Sequence, residues 1–197
     1  MIGVEITPED LLNEISGGKE PVFYSHDKLV SACELAMEVI TPKFAVAYFP
    51  IAFERGKIRV KGTTLDFEGE SLARHLKGCT EVALFCASLG RSIDSEIDKA
   101  RLTDLEFCYL LDTAALLLTE KLCDRIEGII KEFADQNNKQ TTTRYSLGYG
   151  DAPLSLQAEF LNAVSATKTM GVLVSESGMM LPLKTVTAII GLHEKTV

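Results

Sequence analysis

One apolar stripe constrains this chain more than any other feature. Leu111, Ala115, Leu118, Leu122, Ile126, Ile129 and Phe133 step by three or four residues. That spacing places them on one face of an α-helix, so it predicts a helix from about Asp104 to Phe133. Thr103 or Asp104 is suited to cap its N-terminus, because a short side-chain oxygen can accept from a free backbone N–H there. A helix of that size runs roughly 45 Å at about 1.5 Å per residue. Its face needs an apolar layer of comparable size, and the rest of the chain has to build it.

The segments before and after the helix read as that layer. FAVAYFPIAF from Phe44 is apolar and rich in strand-favouring residues, and KIRV and TTLDF follow across short turns. These predict antiparallel strands. EVALFCAS, Glu81–Ser88, predicts a buried strand. GVLVSES and KTVTAIIG predict two late strands joined by a loop around Gly178, Met179 and Met180. Shorter helices are expected from Thr7-Pro8 to Gly17-Gly18, over Ser25–Ile40, Glu70–Leu76, Arg91–Lys99 and Ser155–Val164, with DQNNKQTTT as a polar loop. Strands in a cluster, a long helix, then more strands suggest α+β architecture: one domain over 1–197 with a twisted, mainly antiparallel sheet, a long central helix and flanking helices. Residues 1–43 form a helical N-terminal part of that domain, not an independent one.

Composition excludes several function classes. With 46% hydrophobic residues the chain can bury a sizeable core. No apolar run is long enough for a bilayer, and no basic segment precedes an apolar one as in a signal peptide, so neither membrane nor export is expected. A net charge of −8 with no basic stripe disfavours nucleic acid and suits a cationic or zwitterionic ligand, or a partner with a basic face. The five cysteines form no C-x-x-C pair and mostly lie in apolar runs, which points to reduced, buried thiols in a cytoplasmic protein. The three histidines, His26, His75 and His193, are scattered, so no metal site is expected. There is no G-x-G-x-x-G after a strand for a dinucleotide site and no G-x-S-x-G for an esterase.

The segment TRYSLGYGDAP, Thr143–Pro153, is where chemistry is expected to sit. Gly148 and Gly150 allow sharp turns and a close backbone approach. Arg144 offers a planar fork that matches a carboxylate. Tyr145 and Tyr149 offer flat faces with polar tips. Composition alone favours an ordinary glycine turn between a long helix and a short one.

R-Y-S-L-G-Y-G-D-A-P resembles the Arg-x-x-x-Gly-Tyr motif of the S-adenosylmethionine-binding activation domain of cobalamin-dependent methionine synthase. Ser175–Gly191, S-E-S-G-M-M-L-P-L-K-T-V-T-A-I-I-G, is similar to that family's late segment, and L-D-T-A-A-L-L-L-T-E-K-L-C-D to its central helix. The likeness covers about Leu89–Gly191. It implies that Arg144 holds the ligand's carboxylate, and that Ser146, Gly148 and Tyr149 line the groove for the rest of the molecule. It implies a ligand role for Glu120, for which a solvated helix face is the alternative. For Glu176 and Ser177 it implies either ligand contact or a hydrogen bond at a strand end. Leu147 stands where many members have proline.

The resemblance further implies a reactivation module, supplied as a separate polypeptide. It would bind S-adenosylmethionine and support reductive methylation of oxidised cobalamin. No Asp-x-His-x-x-Gly signature occurs, so the cobalamin is expected on a partner, a cobalamin-binding methionine synthase chain, with an electron-donor protein docking on the complex. The alternative is a non-catalytic S-adenosylmethionine-binding partner of another corrinoid protein. No catalytic residue is expected, because the cobalt is the nucleophile and the module's work is positioning.

Overall fold

The computed structural model of the chain describes residues 3–17 and 24–195. Helices α1 (Pro8–Ser16) and α2 (His26–Val39) lead into strands β1 (Lys43–Glu54), β2 (Lys57–Val60) and β3 (Asp66–Phe67). Helix α3 (Glu70–His75), strand β4 (Glu81–Ser88) and helix α4 (Arg91–Thr103) follow. The long helix α5 spans Leu105–Gln136, and strand β5 (Lys139–Thr141) comes directly after it. A 3₁₀ turn (Leu154–Leu156) and helices α6 (Gln157–Ala163) and α7 (Ala166–Met170) precede β6 (Leu173–Val174), β7 (Met180–Leu181) and β8 (Thr185–Glu194).

Six strands form one antiparallel sheet in the order β3-β2-β1-β4-β8-β5, with β6 and β7 as a separate ribbon. The α+β expectation holds. The sheet is covered on both faces. Ala83, Phe85 and Ala87 of β4, with Ala188, Ile190 and Leu192 of β8, pack against α1, α2, α4 and α5. Val82, Leu84 and Cys86, with Ile189, face the second core layer under β2, β3, α3, α6 and α7. That explains why EVALFCAS reads as a continuous apolar run rather than an alternating one: a central strand buried on both sides has no polar face. Proline occurs inside β1 at Pro50, where the strand stops pairing with β4 and starts pairing with β2. A missing N–H costs least at such a change of partner, and the Pro50 carbonyl still accepts from Lys61 N at 2.9 Å.

Helix α5 is capped as expected: Asp104 accepts from Phe107 N at 3.0 Å. Its buried face runs Leu111, Ala115, Leu118, Leu122, Ile126, then Ile130 and Ala134. Ile129 is 39% exposed and Phe133 half-buried, so the last two turns correct the stripe drawn from the sequence. Ile129 and Ile130 both stand an allowed step of three or four from Ile126, and packing against the core selects Ile130.

Other boundaries also differ. The polar stretch after α5, expected to be loop, contains β5, an edge strand that holds β8 through Thr141↔Leu192. Helix α4 extends past Lys99 to Thr103. Ser155–Val164 begins as a 3₁₀ turn and only then becomes helical, and α7 follows it. Only Leu173–Val174 of GVLVSES is strand, and its partner is β7, inside the expected loop, rather than β8. Polar or very short segments acquire strand geometry here from the partner they pair with, which local preference does not encode. Helix α1 ends at Gly17 in the left-handed conformation, φ +54°; Gly18, expected at the same stop, lies outside the described residues. No helix among them is long and apolar enough to cross a membrane.

Candidate functional site

The segment Thr143–Pro153 is tied down at three places. Thr142 N donates to Gly191 O at 2.9 Å, and Tyr145 exchanges backbone hydrogen bonds with Ile189 at 2.9 and 2.8 Å. The chain therefore runs along the outer edge of β8. Alternation then sends neighbouring side chains to opposite sides. Arg144 reaches α5, while the Tyr145 hydroxyl meets Ser71 Oγ at 2.8 Å and donates to Tyr149 O at 2.8 Å. Beyond Tyr145 the chain leaves the sheet and turns, with Gly148 N donating to Ala152 O at 2.9 Å.

Asp151 fixes the far end of this turn. Its carboxylate accepts from Glu70 N at 2.5 Å and Ser71 N at 3.1 Å, and from the Ser71 hydroxyl, so it caps α3 from 80 residues away. Those hydrogen bonds, the Ser71 hydroxyl first, hold its carboxyl below the usual range. Gly150 is required by closeness: a Cβ there would lie 2.5 Å from Ser71 Oγ and 2.9 Å from the Tyr145 hydroxyl, at φ +57°. Gly148 has φ +90°, and a Cβ would meet Leu154 Cδ2 at 2.9 Å.

A cavity of about 700 Å³ opens where β8 loses its outer neighbour. β5 pairs only with the end of β8, from Leu192 onward, and the Tyr145 bridge reaches Ile189. Ile189 and Gly191 direct their backbone groups outward, so by ladder alternation those of Thr187 and Thr185 face the same open edge. Thr185, Val186 and Thr187 form one wall. Glu120 and Cys123 of α5 form another, and Arg144–Leu147 with Tyr149 a third. Leu154, Gln157, the Gly178–Met180 turn and Leu183 close the rest.

The charged groups at the cavity are linked. Arg144 Nη2 donates to Glu120 Oε2 at 2.7 Å, and Arg144 Nη1 lies 3.1 Å from Asp124 Oδ1. Nη1 is buried, and its approach to Asp124 lacks hydrogen-bond geometry. Deeper in, Thr187 Oγ1 donates to the buried Gln157 Oε1 at 2.9 Å. Burial pushes the Cys123 thiol up to about 12, with the Arg144 charge opposing only in part, so it lines the cavity as a protonated, weakly polar group.

The expected residues are largely brought together. Arg144, Ser146, Tyr149 and Glu120 line this cavity. Gly148 shapes the loop without lining it. Glu176 is exposed in the turn between β6 and β7 and is not among the lining residues. That turn is organised by Ser175, whose Oγ accepts from Met179 N at 3.1 Å and meets Ser177 Oγ at 2.9 Å. Leu147 is buried in the second core layer. Cys123, Gln157, Met179, Thr185 and Thr187 were not singled out by the sequence. Met179 and the threonines lie within the late segment whose similarity was noted, but nothing in it marks which residues face the cavity. Among the described residues no group of three or more His, Cys, Asp or Glu could hold a metal ion.

No protein-family model matches the sequence, and no curated protein matches it at a significant level. Among solved structures the fold is similar to that described as the MetH reactivation domain bound to AdoHcy. The TM-score is 0.63 over 98% of this chain and 78% of that one, at 15% sequence identity. At that identity the likeness is one of fold.

Proposed function

We infer that this chain binds S-adenosylmethionine in the cavity between α5, the Arg144–Tyr149 turn and the open edge of β8. Its role is to support reductive methylation of a cobalamin carried by a separate methionine synthase chain, with an electron-donor protein as the further partner. The observation that carries the reading is a coincidence of two independent signals. The Arg144–Tyr149 motif lines a cavity of about 700 Å³, in a fold similar to the MetH reactivation domain bound to AdoHcy. Ligand-sized pockets span about 300–1,000 Å³, so the volume fits.

The chemistry of the wall fits too. The Arg144 guanidinium, on the cavity wall, would take the ligand's carboxylate. Glu120 would meet the ammonium. The outward backbone groups of Thr185 and Thr187 and the face of Tyr149 would hold the heterocycle. S-adenosylmethionine, when bound, supplies a methyl group on a sulfonium. The chain's own residues orient it and leave the mouth open to a partner. No acid–base pair is required of them.

Titration of the purified chain with S-adenosylmethionine tests the reading. Arg144→Ala should weaken binding about 10- to 150-fold, the worth of a charge-assisted hydrogen bond of about 1.5–3 kcal/mol. Arg144→Lys should fare little better, because lysine keeps the charge and loses the fork. Wild-type affinity in a folded Arg144→Ala variant would remove the assignment.

A further inference from the structure

The charges around Arg144 do not cancel. Glu120 and Arg144 are the charged side chains on the cavity wall, and they neutralise each other in a hydrogen bond of 2.7 Å. Asp124 lies one helical turn beyond Glu120 on α5 and brings a second carboxylate to the same guanidinium at 3.1 Å. One cation against two anions leaves one net negative charge around the Arg144 guanidinium beside the cavity. Arg144 Nη1 makes no directional hydrogen bond to Asp124, so the Asp124 contact acts as a field rather than as a clamp. Its side chain is 66% exposed, so core packing does not explain its position.

We propose that Asp124 is a specificity-determining residue that makes this site prefer a ligand of net positive charge, S-adenosylmethionine over S-adenosylhomocysteine. The proposal rests on the binding function inferred above and names the discrimination made there. S-adenosylmethionine carries a carboxylate, an ammonium and a sulfonium, a net charge of +1. S-adenosylhomocysteine has the same carboxylate and ammonium but a neutral thioether, a net charge of zero. The two differ by one methyl group and one charge. A neutral site can separate them only by the methyl contact; a site of net charge −1 also separates them electrostatically. The consequence is directional. Loss of the methyl group removes the charge the site favours, so the spent ligand is held less tightly and leaves.

The readout is the ratio of the two dissociation constants, measured by calorimetry on the full chain at low and high salt. Both ligands carry the same amino-acid end, so any change in how Arg144 grips a carboxylate cancels in the ratio. The wild-type chain should bind S-adenosylmethionine more tightly, and Asp124→Asn should shrink the ratio about 2- to 5-fold, the scale for an exposed charge. Asp124→Glu should retain the ratio, and salt should shrink it in the wild type more than in Asp124→Asn. An unchanged ratio in Asp124→Asn, with both ligands still binding, overturns the role of Asp124 and leaves the binding function standing. Binding of neither ligand to the wild type overturns both.

Discussion

Within the Thr143–Pro153 turn, single residues do two different jobs. Arg144 and Tyr149 face the cavity, whereas Gly148, Gly150 and Asp151 hold the turn in shape. Gly148→Ala should cost about 1–2 kcal/mol, because alanine resists a positive φ and its Cβ meets Leu154. Chemical denaturation would measure the loss, and ligand affinity should fall with it since Leu154 also lines the cavity. Asp151→Asn should lower Tm near neutral pH by weakening the cap on α3. The sign with pH follows from its lowered pKa. An ionised carboxylate favoured in the folded state stabilises fully above the unfolded value of 3.8, and that stabilisation is lost as pH falls through the lower folded value. The Tm gap between wild type and Asp151→Asn should therefore narrow only below about 3.8. A gap that is the same at all pH values would mean that the charge of Asp151 does not matter to the cap. Arg144 was legible as a fork because its residue type and neighbours carry the signal. The service of Asp151 to a helix 80 residues away was not, since nothing near it in sequence names its partner.

The element that organises the molecule is α5. Its buried face joins α1, α2 and α4 to the sheet; at its flank Glu120 and Cys123 line the cavity and Asp124 pairs with Arg144. One helix thus carries both core and site, separated by about a third of a turn, since Leu122 and Cys123 are adjacent residues. The face assignment is testable by a matched pair. Ile130→Ala should cost about 2–4 kcal/mol, the usual range for emptying a buried aliphatic site, and Ile129→Ala less than about 1 kcal/mol. Equal costs in denaturant unfolding would restore the stripe first drawn through Ile129. The helix itself was readable because seven apolar positions repeat one period; its last two turns were not, because either Ile129 or Ile130 satisfies a spacing of three or four. The short strands were harder still. β5, β6 and β7 have only three, two and two residues. Segments that short exist because a neighbour offers backbone partners, so no periodicity can accumulate within them.

At the scale of the whole molecule, the proposed function predicts dependence on a second chain. Alone, this protein should show no methionine synthase activity. Added to a cobalamin-dependent synthase that lacks its own activation domain and has been oxidised, it should restore methylcobalamin only with both a reductant and S-adenosylmethionine. The cobalamin spectrum would follow this directly; methylcobalamin forming equally well without the chain would defeat the role even if the ligand binds. The net charge of −8 predicts that raising the salt concentration slows the restoration if the docking face of the partner is basic. What the sequence determined by itself is everything encoded by repetition or residue chemistry. The α5 periodicity, the continuous apolar run EVALFCAS and the clustering of strands specify the α+β class. The Arg144–Tyr149 motif names where a carboxylate could be held. What only the tertiary structure decided is everything that depends on which distant segments meet. β8 stays paired along its outer edge as far as the Tyr145–Ile189 bridge, so the cavity opens beyond that bridge, against Thr185–Thr187. Glu120 and Asp124 became counter-charges of Arg144, across 24 and 20 residues of sequence, only when the chain returned along β8. Distance along a chain carries no information about distance in space until the core is packed, and a site built from four separate segments exists only after that packing.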